Sequence, residues 1–271
     1  MDPDSALTGR RRVALVTGAG KRLGRDIALG LAQAGFDVAV HYGQSAEQAA
    51  QVVGEIQALG RSALALGADL AEPAHCRRLF DQTCAGLGPL DCLVNSAARF
   101  EYDIPADFSP AGLMRHLGPN LTAPILLTQH LHEACRQAGR QAAVINLLDQ
   151  KLDNLNPDFF SYTLTKSALL AATRMMAMAF APVLRVNGVS PGATLTSWTQ
   201  SDTQFDAAHR IALLGRSSQP ADIAQAVVYL AQAGAVTGVN LVVDGGQHLM
   251  PLDRDVMFLT PGAPPVTRPT T

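Results

Sequence analysis

The stretch Val13-Ala14-Leu15-Val16-Thr17-Gly18-Ala19-Gly20-Lys21-Arg22-Leu23-Gly24 decides the fold of this 271-residue chain. Its apolar start predicts a buried strand, and the pattern that follows predicts an apolar helix beginning near Arg22. Between them, Gly18 allows a tight turn and Gly24 allows close packing of helix and strand, while the helix N-terminus offers free N–H groups. The turn therefore indicates a pyrophosphate site, although a glycine-rich turn alone would fit a plain tight connection.

Outward from this stretch, short apolar runs alternate with Ala- and Leu-rich helical segments, which predicts βαβ units and a parallel sheet. The predicted strands are Val13–Thr17, Asp37–His41, Ala63–Leu66, Cys92–Val94, Ala143–Leu147, Arg185–Val189 and Asn240–Val243. Long loops are predicted at Asp149–Phe160 and Ser190–Thr203, and sites are expected on loops of this kind.

One domain is expected, spanning residues 12–250 and including a substrate loop at about 190–215. Residues 1–11 are expected to be an extension. Residues 251–271 are a Pro- and Thr-rich tail that either folds over the site or contacts a neighbouring subunit. From about Thr260 onward this tail is expected to be poorly ordered.

Composition excludes several function classes. A net charge of −2 gives no reason to expect nucleic-acid binding. The four cysteines form no C-x-x-C pair and the histidines no metal-ligand spacing, so we expect reduced thiols, no metal and a cytoplasmic protein. No apolar segment suits a signal peptide, and Ala168–Val183, interrupted by Arg174, is too short to span a membrane. That segment is expected to be a buried or interface helix.

The end of the second strand indicates which dinucleotide binds. A site for NAD usually has an acidic residue about 20 positions after the glycines, on the ribose 2′-hydroxyl. Here no acidic residue occurs from Val38 to Ala46, and the strand ends in His41-Tyr42-Gly43-Gln44-Ser45. Because Lys21 and Arg22 add positive charge nearby, the sequence favours the 2′-phosphate of NADPH over NADH.

Three residues predict proton delivery. Tyr162 and Lys166 are four positions apart, which places a phenol and an ammonium on one face of a helix, and Asp149 lies thirteen positions upstream of the tyrosine. A nearby ammonium stabilises a phenolate, so we expect Lys166 to lower the pKa of Tyr162 from its ordinary value of ~10 toward neutrality.

Several motifs recur in order as they do in short-chain dehydrogenases/reductases, which the chain resembles from about Arg12 to Gln247. They are T-G-x-x-x-x-x-G from Thr17, Asp69-Leu70, Asn95-Ser96-Ala97-Ala98, Asn120, Tyr162-x-x-x-Lys166, Ser190-Pro191-Gly192 and Asp244-Gly245-Gly246. The resemblance implies a Rossmann-type doubly wound fold with a seven-stranded parallel sheet and helices on both faces. It also implies a nicotinamide cofactor and a homo-oligomer, either a dimer or a tetramer, for which the alanine-rich helices predicted at Leu121–Gly139 and Ser161–Ala181 are suited.

Three departures from the usual family pattern narrow the resemblance. Arg22 replaces the middle glycine, Ser96 and Ala98 alter the usual N-N-A-G, and Asp149 replaces the catalytic serine. Together with H-Y-x-x-S at the end of the second strand and with Phe100, they make the chain similar to pteridine reductases and dihydromonapterin reductases. That similarity implies a pterin ring between the nicotinamide and Phe100.

The resemblance also implies roles for individual residues. Asp149 and Tyr162 would serve the reactive edge of the substrate, Lys166 would also hold the nicotinamide ribose, and Asn120 would maintain a proton path behind Lys166. Arg22 would reach both cofactor phosphate and substrate. The predicted cofactor-binding residues are Gly18, Lys21, Arg22, Leu23, Gly24, His41, Tyr42, Gln44, Ser45, Asp69, Leu70, Asn95, Ser96, Ala97, Pro191 and Gly192. The predicted substrate-binding residues are Arg22, Phe100, Asp149 and Tyr162.

The exchange of serine for aspartate favours one chemistry. A carboxylate would repel the alkoxide that develops when a carbonyl is reduced. Reduction of a C=N bond instead develops a basic nitrogen, which accepts a proton from a nearby carboxyl. We therefore expect NADPH-dependent reduction of a dihydropterin, such as dihydromonapterin or dihydrobiopterin, to its tetrahydro form. The alternatives are a carbonyl reductase acting on a 3-oxoacyl thioester or another ketone, and an NADP-binding regulator without turnover.

Structural readings compete with these roles. Asn120 would serve as a helix N-cap and Phe100 as ordinary core. Arg22 would be a solvated charge, Asp69 a turn residue, and Asp244-Gly245-Gly246 a chain reversal. Arg99 replaces an expected small residue, and its alternative role is contact with a polar or anionic substrate tail.

Overall fold

The computed structural model describes residues 10–196 and 201–259. The strands are β1 (Arg12–Val16), β2 (Phe36–Tyr42), β3 (Ala63–Gly67), β4 (Cys92–Asn95), β5 (Ala142–Leu147), β6 (Leu184–Pro191) and β7 (Asn240–Val243). The helices are α1 (Arg22–Gln33), α2 (Ala46–Ala58), α3 (Pro73–Leu87), α4 (Pro110–Leu117), α5 (Ala123–Ala138), α6 (Phe160–Phe180), α7 (Asp202–Arg210) and α8 (Pro220–Gln232). A π-helical turn, Gly118–Thr122, joins α4 to α5. Short 3₁₀ turns occupy Gln150–Asp153, Gln247–Leu249 and Val256–Phe258.

The strands form one parallel sheet in the order β3-β2-β1-β4-β5-β6-β7, which confirms the predicted seven-stranded fold. In its centre Leu15 pairs with Ala39 on one side and Leu93 on the other. The order of strands reverses between β1 and β4. In sheets of this type ligands bind beyond the carboxyl ends of the strands at such a reversal.

Both faces of the sheet are buried under helices. Along β1, Ala14 and Val16 belong to one core and Val13 and Leu15 to the other, as the period-two alternation of a strand requires. The first core receives α1, α2 and α8, and the second receives α3, α5 and α6. This layering confirms the doubly wound arrangement.

The loops that follow β5 and β6 differ in detail from the prediction. The predicted loop Asp149–Phe160 contains a 3₁₀ turn, and its last residue already begins α6. The strand β6 continues to Pro191, so the second predicted loop starts later than expected, and its residues 197–200 lie outside the described residues. The predicted poor order from Thr260 onward also lies outside them.

The segment predicted as a buried or interface helix is the C-terminal part of α6. Met176 and Ala177 belong to the core, whereas Met175 and Met178 are 68% and 82% exposed. Among the described residues, no helix combines the length and apolarity needed to cross a bilayer.

Candidate active site

A cavity of about 1180 Å³ lies at the carboxyl edge of the sheet. It is lined by the glycine-rich turn, the end of β2, the loops after β4, β5 and β6, and residues 255–257. Pockets for a single small ligand commonly occupy ~300–1,000 Å³, so this cavity is large enough for a cofactor and a substrate side by side.

The glycine-rich turn requires both glycines that the sequence singled out. Gly18 has φ +68°, and a Cβ there would lie 3.0 Å from Cα of Ala97. A Cβ at Gly24 would lie 2.2 Å from the carbonyl oxygen of Gly18. No side chain of the described residues caps the start of α1 and no acidic residue occurs in its first turn, so this end of the helix suits an anion.

Arg22 occupies the position where the family usually has glycine, and its backbone adopts φ +53°. This left-handed conformation is unfavourable for a side chain with a Cβ. The Arg22 guanidinium lines the cavity and donates to the carbonyl of Thr196 at 2.8 Å. Arg22 therefore joins the glycine-rich turn to the loop after β6, and it is more than a solvated charge at a helix start.

His41 holds the glycine-rich turn in place through hydrogen bonds to the backbone. Its Nδ1 accepts a hydrogen bond from the Gly18 amide at 3.0 Å, and its Nε2 lies 3.1 Å from the carbonyl of Ala68. Burial lowers the pKa of His41, so the ring is neutral and donates through Nε2. Both nitrogens contact the backbone, and His41 also lines the cavity. Its predicted contact with the cofactor stays a prediction.

Many of the predicted cofactor-binding residues line the cavity. They include Lys21, Leu23, Tyr42, Gln44, Ser45, Asp69, Leu70, Ser96 and Ala97. Asp69 also accepts the Ala71 amide at 2.9 Å, so its role as a turn residue and its place in the wall coexist. Thr17, which the sequence reading did not single out, accepts the amides of Ser96 and Ala97 at 3.0 Å each and fixes the loop after β4.

Asn95 and Asn120 lie behind the cavity wall. Asn95 donates to the side chain of Asn146 at 2.8 Å. The Asn120 side chain accepts a hydrogen bond from the amide of Arg99 at 2.7 Å. It donates to the carbonyl of Arg99 and to the Thr165 hydroxyl. Neither side chain lines the cavity, which differs from the direct cofactor contact predicted for Asn95. The N-cap reading of Asn120 is wrong, because this residue lies inside the π-helical turn.

The proton-delivery residues meet at the end of β5. The Tyr162 hydroxyl donates to Oδ2 of Asp149 at 2.9 Å, and Oδ1 of Asp149 accepts the backbone amide of Lys151 at 2.9 Å. Lys166 donates through Nζ to the carbonyl of Leu147 at 2.5 Å. The structure thus brings Asp149, Tyr162 and Lys166 to the wall of one cavity.

The electrostatics of this group correct the sequence prediction. Burial, followed by the Asp149 carboxylate, raises the pKa of Tyr162 well above its ordinary value, so the prediction that Lys166 lowers it is wrong. The reason is geometric: the ammonium is directed at the Leu147 carbonyl and the phenol at a carboxylate. Burial lowers the pKa of Lys166 to about 8. Burial also raises the pKa of Asp149, so this carboxyl keeps its proton to a higher pH than an exposed aspartate does.

Aromatic side chains form the wall beside this group. Phe100 stacks on Phe159 with centroids 4.1 Å apart and meets Tyr162 edge-on at 4.8 Å. Phe100 is 38% exposed and lines the cavity, so the reading as ordinary core is wrong. Phe159, with φ +54°, was not found from the sequence.

Pro191 and Gly192, which were predicted to bind the cofactor, also line the cavity. A Cβ at Gly192 would lie 2.9 Å from Cα of Asp244, so the chain passes very close here. Asp244 accepts the amides of Gly246 and His248 at 2.9 and 2.6 Å, which makes Asp244-Gly245-Gly246 the chain reversal that the structural reading expected.

Arg99 lies at the rim of the cavity in a small charged cluster. Its guanidinium pairs with Glu101 at 2.5 Å, and Glu101 also pairs with Arg115 at 3.3 Å. Both arginines line the cavity. The predicted contact of Arg99 with an anionic substrate tail stays a prediction.

The described part of the tail contributes a wall to the cavity. Asp255, Val256 and Met257 line the cavity, and Asp255 pairs with Lys151 across 104 positions of sequence. Arg254 pairs with the fully buried Asp158 at 2.6 Å and holds this segment in place. The described part of the tail therefore folds over the site, one of the two arrangements that were expected.

Residues 18–248 match a family model described as "Enoyl-(Acyl carrier protein) reductase". The chain belongs to the short-chain dehydrogenase/reductase family. It is an oxidoreductase of that family, as the order of its motifs predicted.

Relatives within the short-chain dehydrogenase/reductase family carry different names. An uncharacterized oxidoreductase of Methylorubrum extorquens is 35% identical over 87% of this chain and 97% of its own length. The 3-oxoacyl-[acyl-carrier-protein] reductase FabG of Staphylococcus aureus is 32% identical over 87% of this chain and 98% of its own. The crystal structure of FolM alternative dihydrofolate reductase 1 from Brucella canis, complexed with NADP, is 35% identical with a TM-score of 0.84, covering 88% of this chain and 94% of that one.

Proposed function

We propose that the protein is an NADPH-dependent reductase that converts a dihydropterin to a tetrahydropterin. The observation that carries this proposal is the part-buried hydrogen bond of 2.9 Å between Tyr162 and Asp149, beside the exposed ring of Phe100. The name of the similar Brucella protein, an alternative dihydrofolate reductase, supports a substrate with a pterin ring.

The cavity residues at the start of α1 and at the end of β2 fit NADPH. The uncapped start of α1 suits the pyrophosphate, and exposed Lys21 and Arg22 suit the 2′-phosphate. No acidic residue occurs at the end of β2 to bind a 2′-hydroxyl in its place. When bound, NADPH supplies a hydride to the substrate.

The reacting end of the cavity fits a flat, nitrogen-containing ring. Phe100 offers a face for stacking. One hydride adds to the carbon of the C=N bond and one proton adds to its nitrogen, so NADPH, a proton and a dihydropterin give NADP⁺ and a tetrahydropterin. Asp149 and Tyr162 hold that proton at a part-buried carboxyl–phenol pair.

Protonation of Asp149 sets the pH dependence. Because burial raises the pKa of this carboxyl, it keeps its proton at a higher pH than an exposed aspartate does. The activity should therefore fall as pH rises through the pKa of Asp149. Tyr162 stays protonated throughout this range, since its own pKa is raised.

Carbonyl reduction is the second candidate, favoured by the similarity to the Staphylococcus aureus 3-oxoacyl-[acyl-carrier-protein] reductase. Tyr162 and Lys166 would also serve that reaction. Asp149 argues against it, because it replaces the neutral hydroxyl that would stabilise a developing alkoxide, and its carboxyl repels that charge once it is ionised. A regulator without turnover is disfavoured by the assembled proton-delivery group.

A substrate panel tests the proposal. Purified protein with NADPH is offered dihydropterins, dihydrofolate, a 3-oxoacyl thioester and simple ketones, and oxidation of NADPH is followed by absorbance. We expect turnover with a dihydropterin that is lost in Tyr162→Phe. Turnover with ketones alone would favour the second candidate, and no oxidation with any compound would favour the regulator.

We also propose a cytoplasmic homo-oligomer. The unpaired cysteines suit a reducing compartment, and the exposed Met175 and Met178 on α6 offer an apolar face for a second subunit. Size-exclusion chromatography with light scattering that showed only monomer would refute the oligomer.

A further inference from the structure

Lys151 and Asp255 form an ion pair in the cavity wall, close to Asp149. The Lys151 ammonium lies 3.0 Å from Oδ2 of Asp255, and the two side chains are only 4% and 19% exposed. Lys151 is two residues after Asp149, and its own amide binds that carboxylate. Removing two charged groups from water costs free energy, which the ion pair offsets only when its geometry is good. We therefore ask what this pair contributes to the reactive site.

The carboxylate of Asp255 is fixed from several directions. Its Oδ1 accepts the amide of Met257 at 3.2 Å, and its own amide donates to the buried Asp158 at 2.8 Å. Asp158 in turn pairs with Arg254. The C-terminal segment therefore holds a negative charge at one place in the wall.

The charged and titratable groups near Asp149 come from three elements. They are Tyr162 and Lys166 of α6, Lys151 of the 3₁₀ turn, and Asp255 of the C-terminal segment. After burial, which raises the pKa of Asp149 most, the two partners of the ion pair act in opposite directions. The Lys151 ammonium lowers that pKa and the Asp255 carboxylate raises it.

We propose that Lys151 and Asp255 are positioning residues that together set the charge of the cavity beside Asp149, and that the C-terminal segment is thereby part of the catalytic apparatus. The pair places a positive and a negative charge near the reacting carboxyl, and the two charges act on it in opposite directions. The effect of the ion pair on the pH dependence of dihydropterin reduction rests on the proposed function. Its effect on the titration of Asp149 does not.

Opposite shifts from the two single variants test this role. Lys151→Met keeps the length of the side chain and leaves Asp255 unopposed, so the titration of Asp149 should move to higher pH by about one unit. Asp255→Asn leaves Lys151 unopposed and should move it to lower pH by a similar amount. The double variant and Lys151→Arg should both titrate close to the wild type.

The titration is read from ¹³C-carboxyl NMR of labelled aspartate in the protein without substrate, with the resonance assigned by Asp149→Asn. The same variants are then assayed for the pH at which dihydropterin reduction declines. Arg77→Met, which breaks an exposed ion pair on α3, is the matched control. It should shift neither the titration of Asp149 nor the pH at which dihydropterin reduction declines.

Shifts of opposite sign support the proposal. Shifts of the same sign, or none, in folded variants would overturn it, because a merely structural ion pair predicts equal damage from both changes. If Lys151→Met does not fold, Asp255→Asn and the double variant decide the question. NMR shifts without pterin turnover would refute only the proposed function, and turnover without NMR shifts would refute only this inference.

Discussion

Replacing Asp149 by asparagine removes an acidic proton from the site while nearly preserving its shape. In the structure the carboxylate accepts two hydrogen bonds of 2.9 Å, from the Tyr162 hydroxyl and the Lys151 amide. Asparagine can keep the second through Oδ1, which turns its NH₂ group toward the phenol. The variant should therefore fold and bind NADPH, but it can neither donate a carboxyl proton nor accept one from Tyr162.

The size of the effect follows from the role. Positioned general acids contribute about 10²–10⁴-fold, which corresponds to about 2.7–5.5 kcal/mol of transition-state stabilisation. We expect kcat for a dihydropterin to fall by that factor, with little change in KM because the aromatic wall is intact. Single-turnover oxidation of NADPH measures the chemical step directly.

The matched control is Asp153→Asn, the same substitution at an exposed position of the same 3₁₀ turn that does not line the cavity. It should leave kcat unchanged. If Asp149→Asn kept more than about a tenth of the wild-type kcat, the assignment of proton delivery to this carboxyl would be refuted.

Three further variants test the fold and its electrostatics. Gly24→Ala would place a Cβ 2.2 Å from a backbone oxygen of the glycine-rich turn and should lower stability by about 1–3 kcal/mol and weaken NADPH binding. Gly54→Ala, whose Cβ on α2 meets no atom within 4 Å, should instead stabilise by about 0.5–1 kcal/mol in thermal denaturation. Arg254→Met removes the ion-pair partner of the buried Asp158 and should cost roughly 3 kcal/mol in urea unfolding, so an unchanged midpoint would contradict this expectation. Because the pKa of Asp149 is raised on folding, its ionisation destabilises the protein as pH rises above about 4, and the stability of Asp149→Asn relative to wild type should increase with pH. A relative stability that decreases over the same range would show the opposite sign.

Much of the fold was predictable because local signals agree with it. Short apolar runs separated by helical segments located all seven strands. The glycine-rich turn predicted both the start of α1 and the cavity beside it. Asp149 and Tyr162 were also predicted to act together, and they are hydrogen-bonded in the structure.

The remaining features depend on contacts that no local pattern encodes. Lys151 and Asp255 are 104 positions apart, and the composition of the Pro- and Thr-rich tail left open whether it covers the site or contacts a neighbouring subunit. The pKa of Tyr162 was mispredicted because spacing placed Lys166 on the same helical face without showing where its ammonium points.

The most direct test compares wild type with Asp149→Ser by the ratio of kcat/KM for a dihydropterin to kcat/KM for a 3-oxoacyl thioester, with NADPH in both assays. We expect a ratio well above one in the wild type that falls in the serine variant, because a hydroxyl stabilises an alkoxide and cannot protonate nitrogen as a carboxyl does. A wild-type enzyme that reduces the thioester and leaves every dihydropterin untouched would contradict it.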